Sequence, residues 1–263
     1  MTRFFKLLFI SPLLFLFGCA VTPQSNITFQ QDFLSKQDQK IGIYVSAAPE
    51  VKGHISGAAC LLCYATASAI NSDLDTHMKT QSNEDLNELK AALTERLTNE
   101  GATVVDITDL NIAKLPKNTG AQLNFAKNKF DGVGTKHDVN QVLVVDMKTL
   151  GTLRNFANYI PVGDPYAVFN AVMYMVDTTT NAYTFYELID VKQYSDSPWK
   201  EEGFPGITNA YYTAIETGKS QILDLHATVT PEIDAEPEKD PEPEDQARND
   251  DENNPANDHP NAG

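Results

Sequence analysis

Positive charge is scarce in this chain: 20 Lys and Arg stand against 36 Asp and Glu over 263 residues, a formal charge of −16. No stretch is basic enough to suggest nucleic acid or an anionic lipid surface as a partner. Long apolar runs are also missing. The longest, Leu7 to Phe17, falls short of the about 20 residues that a membrane span requires. Only three cysteines, five histidines and one tryptophan occur. His54, His77, His137 and His226 are too scattered to nominate a metal cluster, and no Ser or Cys is recognisably paired with a His and an acid as a catalytic nucleophile. "DGVGTKHD" at 131–138 lacks the full phosphate-loop pattern. No internal repeat is present.

What is there begins with the two ends. Arg3 and Lys6, the apolar run and the small residue Gly18 read as an export signal over 1–18. "LFGC" at 16–19 resembles the lipobox of bacterial lipoproteins. That resemblance implies cleavage before Cys19 and a covalent lipid on Cys19, the only cofactor-like group expected. Several acyl chains anchor stably where one binds only marginally. Ala20, in place of an aspartate, favours the outer membrane, with the domain facing the periplasm. Residues 19–39 are polar and low in pattern and read as a tether, a flexible coil spanning roughly 25 Å on average.

From Pro231 to Gly263 the chain holds twelve Asp and Glu against Lys239 and Arg248, one branched aliphatic residue and no aromatic. Such a segment buries too little apolar surface to offset its chain entropy and is expected to be disordered. It reads as a solubilising end or an interaction tail. Loss of the leader takes the charge to −18, of which the tail accounts for −10 and residues 19–230 for about −8. Residues 40–230 suffice for one domain with a sizeable core.

Within that domain "KIGIYVSA" (40–47) predicts a strand. Leu86, Leu89, Leu93 and Leu97 form one stripe of a helix, with Ser82 and Asp85 as a capping box and Gly101 as its stop. "ATVVDITD" (102–109) predicts a second strand, and the spacing is that of a parallel βαβ crossover. A third strand is expected over 140–152. "PYAVFNAVMYMVD" and "AYTFYELIDVKQY" bracket the turn "TTTN" as an antiparallel hairpin whose first arm is apolar on both faces. The last helix places Tyr211, Ala214, Ile215, Gly218, Ile222 and Leu225 on one face, with Thr208 as a cap and Gly218 marking either close packing or a kink. The prediction is α/β: a mixed sheet sandwiched by helices, in a single domain with a disordered acidic tail. "YIPVGDPYA", with Asp164, and "GFPGITNAYY" read as turns and loops, which can also form binding sites.

Chemistry concentrates in "HISGAACLLCYATASAIN", residues 54–71. Cys60 and Cys63 are two residues apart. A thioredoxin-like centre would put this pair at a helix start just after a strand, yet Cys60 comes thirteen positions after Ala47. Zinc needs four ligands, and His54 and His77 match no common spacing. Haem attachment is excluded because Tyr64 follows Cys63. A short-range disulfide in an oxidising compartment, or a pair of buried thiols, remains the main reading. The uncharged, small-residue surroundings suggest a tightly buried helix, with a docking surface as the alternative.

The order of elements over 40–226, carried by "KIGIYV", "LTERLTNEGATVVDI", "VNQVLVVDMKTLG", "YMVDTTTNAYTFYELIDV" and the closing helix, resembles a group of envelope lipoproteins. That group includes the curli-secretion lipoprotein and the lipoprotein activators of penicillin-binding proteins. The resemblance implies a non-enzymatic scaffold or accessory role in envelope assembly, secretion or regulation, with an envelope protein as partner and no catalytic or metal residues to carry over. The alternative is a periplasmic thiol–disulfide or metal-handling protein centred on Cys60 and Cys63.

Overall fold

The β-branched and aromatic residues concentrate in two long arms, β4 (Gln141–Ala157) and β5 (Ile160–Asp177), and these two strands are the frame of the molecule. The structure, a computed structural model, describes residues 22–30 and 39–225. The export signal, Cys19 and the acidic tail lie outside the described residues.

β4 and β5 pair antiparallel from Gln141↔Asp177 to Ala157↔Ile160, and β6 (Tyr183–Gln193) continues the meander after the predicted "TTTN" turn. Asp177 closes that turn by accepting hydrogen bonds from the Thr179 and Thr180 amides. On the other edge of β4, β1 (Lys40–Val45) runs parallel to its first half and β2 (Val51–Ser56) to its second. β3 (Thr103–Asp106) lies parallel beside β1, as the crossover spacing predicted. The sheet is therefore six-stranded and mixed, in the order β3-β1-β4-β5-β6 with β2 on the distal half of β4.

Both sheet faces are covered, which explains the apolar character of both sides of β5. Phe169, Ala171, Met173 and Met175 face the core made with α2 (Ser72–Met78), α3 (Leu89–Asn99) and α5 (Pro205–Leu223). Tyr174 and Val176 face a smaller core with Ile107, Phe130 and Val133 under α4 (Asp131–His137). α1 (Leu61–Ile70) stands apart from both cores.

Two helix starts differ from expectation. Ser82 Oγ accepts from the Glu84 amide at a single 3-10 turn, and α3 itself begins at Leu89, three residues into the leucine stripe. α5 begins at Pro205, whose fixed φ suits the first helical position, so Thr208 lies inside the first turn and donates to Phe204 O. "PVGDP" is not a free turn either. It belongs to β5, and Asp164 there accepts a hydrogen bond from Trp199 Nε1 at 2.8 Å.

The largest difference is at the N-terminus. Residues 22–30 are not a free tether. Ile27 exchanges two backbone hydrogen bonds with Tyr186, at 2.8 and 3.0 Å. Phe29 is buried, its ring edge-on to Phe185 with centroids 5.9 Å apart. Two well-placed apolar residues in a polar stretch suffice to lay this segment along the open edge of β6.

Candidate functional site

The cysteine pair sits where β2 hands over to α1. After Ser56 the chain turns at Gly57, whose φ of +81° suits glycine and whose missing Cβ leaves room for the Phe156 carbonyl of the β4–β5 hairpin. Cys60 is extended (φ −123°, ψ 156°) and is the N-cap of α1, its Sγ accepting from the Cys63 amide at 2.9 Å. The two cysteines are joined by a disulfide, with Cα atoms 4.9 Å apart. The alanine-rich helix ends at Asn71, which donates its amide to Ala67 O and begins α2 at once.

Two sequence expectations are corrected here. The thirteen residues before Cys60 are not one loop, because β2 ends four residues short of it, so the pair does stand at a helix start just after a strand. Nor is α1 a tightly buried helix. Only Cys63 and Ala67 are buried, while Leu61 is 88 % and Leu62 76 % exposed and Tyr64 and Ile70 are also exposed. No Asp, Glu, Lys or Arg occurs between Lys52 and Asp73. At the tip of the neighbouring hairpin, Tyr159, Ile160 and Val162 are exposed as well, and the Asn158 amide bonds to Gly57 O. Exposed apolar side chains grouped in this way mark contact surfaces.

α1 also lines a polar cavity of about 370 Å³, with Tyr64, Ser68 and Asn71 opposite Lys52, His54 and Asp75. Asp75 accepts from the Gly53 amide at 2.9 Å and from Lys79 at 2.7 Å. Partial burial pushes its carboxyl up, but these hydrogen bonds and the charges of Lys79 and Lys52 outweigh burial and hold it below the ordinary value. Asn71 is 2 % exposed, and neither atom of its side-chain amide has a partner. Nothing in the sequence singled out Asn71, because the cavity forms only when α1, α2 and β2 meet.

The remaining candidates stay apart. His54 meets Leu150 O at 3.0 Å, His77 meets Thr208 at 2.7 Å, and His137 meets Asp109 at 3.0 Å. His226 lies outside the described residues. Burial lowers the His77 pKa, keeping the ring neutral. Among the described residues no three of His, Cys, Asp and Glu converge as metal ligands. On the opposite sheet face Tyr174, Tyr183 and Tyr186 cluster, and burial, helped by Tyr186, pushes Tyr183 up to about 12. These hydroxyls stay protonated at neutral pH, as packing groups do. Arg154, 6 % exposed, stacks its guanidinium over Trp199 at 4.6 Å and Phe156 at 5.6 Å, bracing the hairpin.

No family model matches the chain, and no curated protein matches it. Among solved structures it is similar to a hypothetical protein from Chlamydia trachomatis, with 8 % identity and a TM-score of 0.33, covering 72 % of this chain and 98 % of that one. It is also similar to the PelC dodecamer from Paraburkholderia phytofirmans, at 10 % identity and TM-score 0.27, covering 73 % of this chain and 92 % of that one. A lipoprotein from Neisseria meningitidis is similar at 12 % identity and TM-score 0.24, covering 70 % of this chain and 99 % of that one. These TM-scores carry no argument about activity, so the functional reading rests on the chain's own residues. Among the described residues no helix is long and apolar enough to cross a membrane.

Proposed function

We propose that this chain is an outer-membrane lipoprotein, held through a lipid on Cys19, whose periplasmic domain is a non-enzymatic accessory factor in envelope assembly, secretion or regulation. The curli-secretion and penicillin-binding-protein-activator group is the class its element order resembles. The observation that carries the reading is α1. A helix exposing Leu61, Leu62, Tyr64 and Ile70, with no charge along it and its first turn closed by a disulfide, is built to be covered by a partner protein. The disulfide fixes the two leucines at the tip in one place, which lowers the ordering cost of docking. A photo-crosslinking residue at Leu62 in intact cells is expected to yield one specific envelope-protein adduct, absent when the same group stands at the surface position Glu95. A smear of abundant proteins, or the same adducts from both positions, would sink the proposal. The lipid is tested separately by the intact mass of chain extracted from membranes and by release of Cys19→Ser from them.

A second reading has its own observation. Cys60 is exposed at a helix N-cap with its sulfur on a backbone N–H, and Cys63 behind it is buried, the placement of an attacking cysteine with a resolving one behind it. Such a dithiol exchanges with a partner disulfide: Cys60 attacks, Cys63 displaces the mixed disulfide, and the partner leaves as a dithiol while the pair is oxidised. If Cys60→Ser/Cys63→Ser fully rescues a deletion strain, this reading ends and the accessory reading stands.

A further inference from the structure

The strap formed by residues 22–30 enters the sheet beside a surface with its own chemistry. The Gln24 side-chain amide pairs with Asn124: its Nε2 donates to Asn124 Oδ1 at 2.9 Å, and the Asn124 amide donates to Gln24 Oε1 at 2.8 Å. Tyr183 holds the same residue by donating its amide to Asn124 O at 2.8 Å. Asn124 takes a φ of +69°, which Asn tolerates, and its two neighbours are exposed. Those neighbours are Leu123, 48 % exposed, and Phe125, 39 % exposed. Thr22 and Pro23 border one cavity with both of them.

The charge of this region is the reverse of the chain's. Residues 111–130 hold Lys114, Lys117, Lys127 and Lys129 and no Asp or Glu, in a chain of net −16. Lys127 and Lys129 are exposed, alternating with Ala126, Asn128 and Phe130, which are turned inward. Lys117 Nζ hydrogen-bonds Asn128 Oδ1, and among the described residues none of the four lysines has a carboxylate within ion-pair distance. Asp131 is the nearest acid in sequence, and Asp146 across the cavity is already held by Lys148.

Chain length supplies the third fact. Only two residues stand between Cys19 and Thr22, so even fully extended the sulfur-bearing residue is within about 11 Å of this surface. A flexible 21-residue tether would leave the domain free to turn, whereas a strap docked from Thr22 onward does not.

We propose that this face is where the domain rests on an anionic bilayer, with Leu123 and Phe125 entering the headgroup boundary and Lys127 and Lys129 lying among the phosphates. The assignment deepens the lipoprotein reading and rests on it. Charge decides the details. A strongly acidic protein is repelled by an anionic surface except where a basic patch comes within a Debye length, about 8 Å, of it. Lysine stems cover apolar surface while their ammonium groups stay at the headgroup level. The acidic segment 231–263 matches the lysines in charge. It has one branched aliphatic residue and no aromatic, however, and so offers nothing to cover Leu123 and Phe125. The bilayer satisfies both halves of the patch. Asn124 adjoins the β5–β6 turn, while the exposed α1 and the β4–β5 hairpin tip lie toward the other end of β4.

The test holds the chain to vesicles by the correct end without using the native lipid. Residues 19–263 carrying Cys19→Ser and an N-terminal hexahistidine are captured on nickel-chelating vesicles of phosphatidylethanolamine, with or without one-third phosphatidylglycerol. An environment-sensitive fluorophore is placed at Leu123→Cys or at Ile160→Cys, Cys60 and Cys63 being unreactive as a disulfide. The expected result is a several-fold rise in emission with a blue shift at position 123 on phosphatidylglycerol vesicles. It should be lost in Lys127→Glu/Lys129→Glu, with position 160 silent throughout. Silence at 123, an equal response at 160, or indifference to the lysine reversal overturns the assignment. So does a shift at 123 on deleting residues 231–263 without vesicles, which would make the acidic segment the occupant. Because capture bypasses Cys19, absence of a lipid in the native chain's intact mass would defeat the lipoprotein reading without touching this result.

Discussion

Gly218 on α5 lies flat against the ring of Phe169 on β5: a Cβ at that glycine would stand 2.6 Å from Cε1 and 2.7 Å from Cγ. Phe169 is fully buried, so its ring has nowhere to move. Close packing, not a kink, is the reason for a glycine in the helix interior. Alanine there gains about 1 kcal/mol of helix propensity, but overpacking a dense core costs about 1–3 kcal/mol. Gly218→Ala is therefore expected to lower stability by up to roughly 2 kcal/mol in urea unfolding, and Phe169→Leu/Gly218→Ala to recover part of the loss. A stabilised Gly218→Ala would show that α5 sits farther from the sheet.

The same residues show what the sequence made legible. Periodicity revealed β1, β3, the β5–β6 hairpin, both faces of β5 and the α5 stripe, because each reports one element facing one core. It failed where structure depends on a distant partner. β2 is a six-residue strand containing Gly53 and His54, and it is a strand only because the long distal half of β4 offers it an edge. α1 looked like a buried helix because small apolar residues belong in cores. Composition does not say which helices a core has room for, and α2, α3 and α5 fill this one. Net charge likewise concealed the lysines of 111–130, since a sum over 263 residues averages away a patch of four.

The strap is expected to behave as a local unit. Its contacts include two backbone hydrogen bonds at Ile27 and the burial of Phe29, with polar contacts at Gln24 and Asn26. Phe29→Ala removes burial worth up to about 3 kcal/mol, yet a terminal segment can peel away without opening the sheet. Hydrogen exchange should show the Ile27 and Tyr186 amides exchanging at least about tenfold faster, while β4 and β5 amides keep their protection. Loss of protection throughout β4 and β5 would mean that the strap is integral to the fold.

Glu187 gives the domain a pH signature. It points inward from β6 between Phe185 and Ile189 and is 5 % exposed. Burial, with the nearby charge of Asp224, pushes its carboxyl from 4.5 up to about 7. Between those values the folded chain holds a proton that the unfolded chain has released. This group's contribution is therefore complete below about pH 4.5, declines as pH rises, and is lost above about 7. At about 1.4 kcal/mol per pKa unit, the ceiling is roughly 3 kcal/mol. Glu187→Gln should flatten that slope and melt higher than the parent at pH 8, with little difference at pH 4.5. An unchanged slope in the variant would assign the pH dependence to other groups.

Asn71 decides whether the cavity beside α1 is merely a gap. Its side-chain amide is buried at the α1–α2 junction with neither oxygen nor nitrogen partnered, and a buried orphan of this kind costs about 1–3 kcal/mol. Leucine has nearly the same shape and no polar atoms. If the amide is an orphan, Asn71→Leu raises the urea midpoint by the equivalent of about 1 kcal/mol, and Asn71→Asp, which buries a charge beside Asp75, lowers it. If Asn71→Leu instead destabilises by a similar amount, the amide is satisfied from the cavity by ordered water or a small polar molecule. Dialysis of the parent chain against denaturant and refolding then separates the two: a bound molecule is lost and the midpoint falls, whereas water returns and the midpoint does not change. Only the first outcome would make Tyr64, Ser68, Asn71 and Asp75 a ligand site on the same helix that displays Leu61 and Leu62, tying what the cavity holds to what the exposed face can dock.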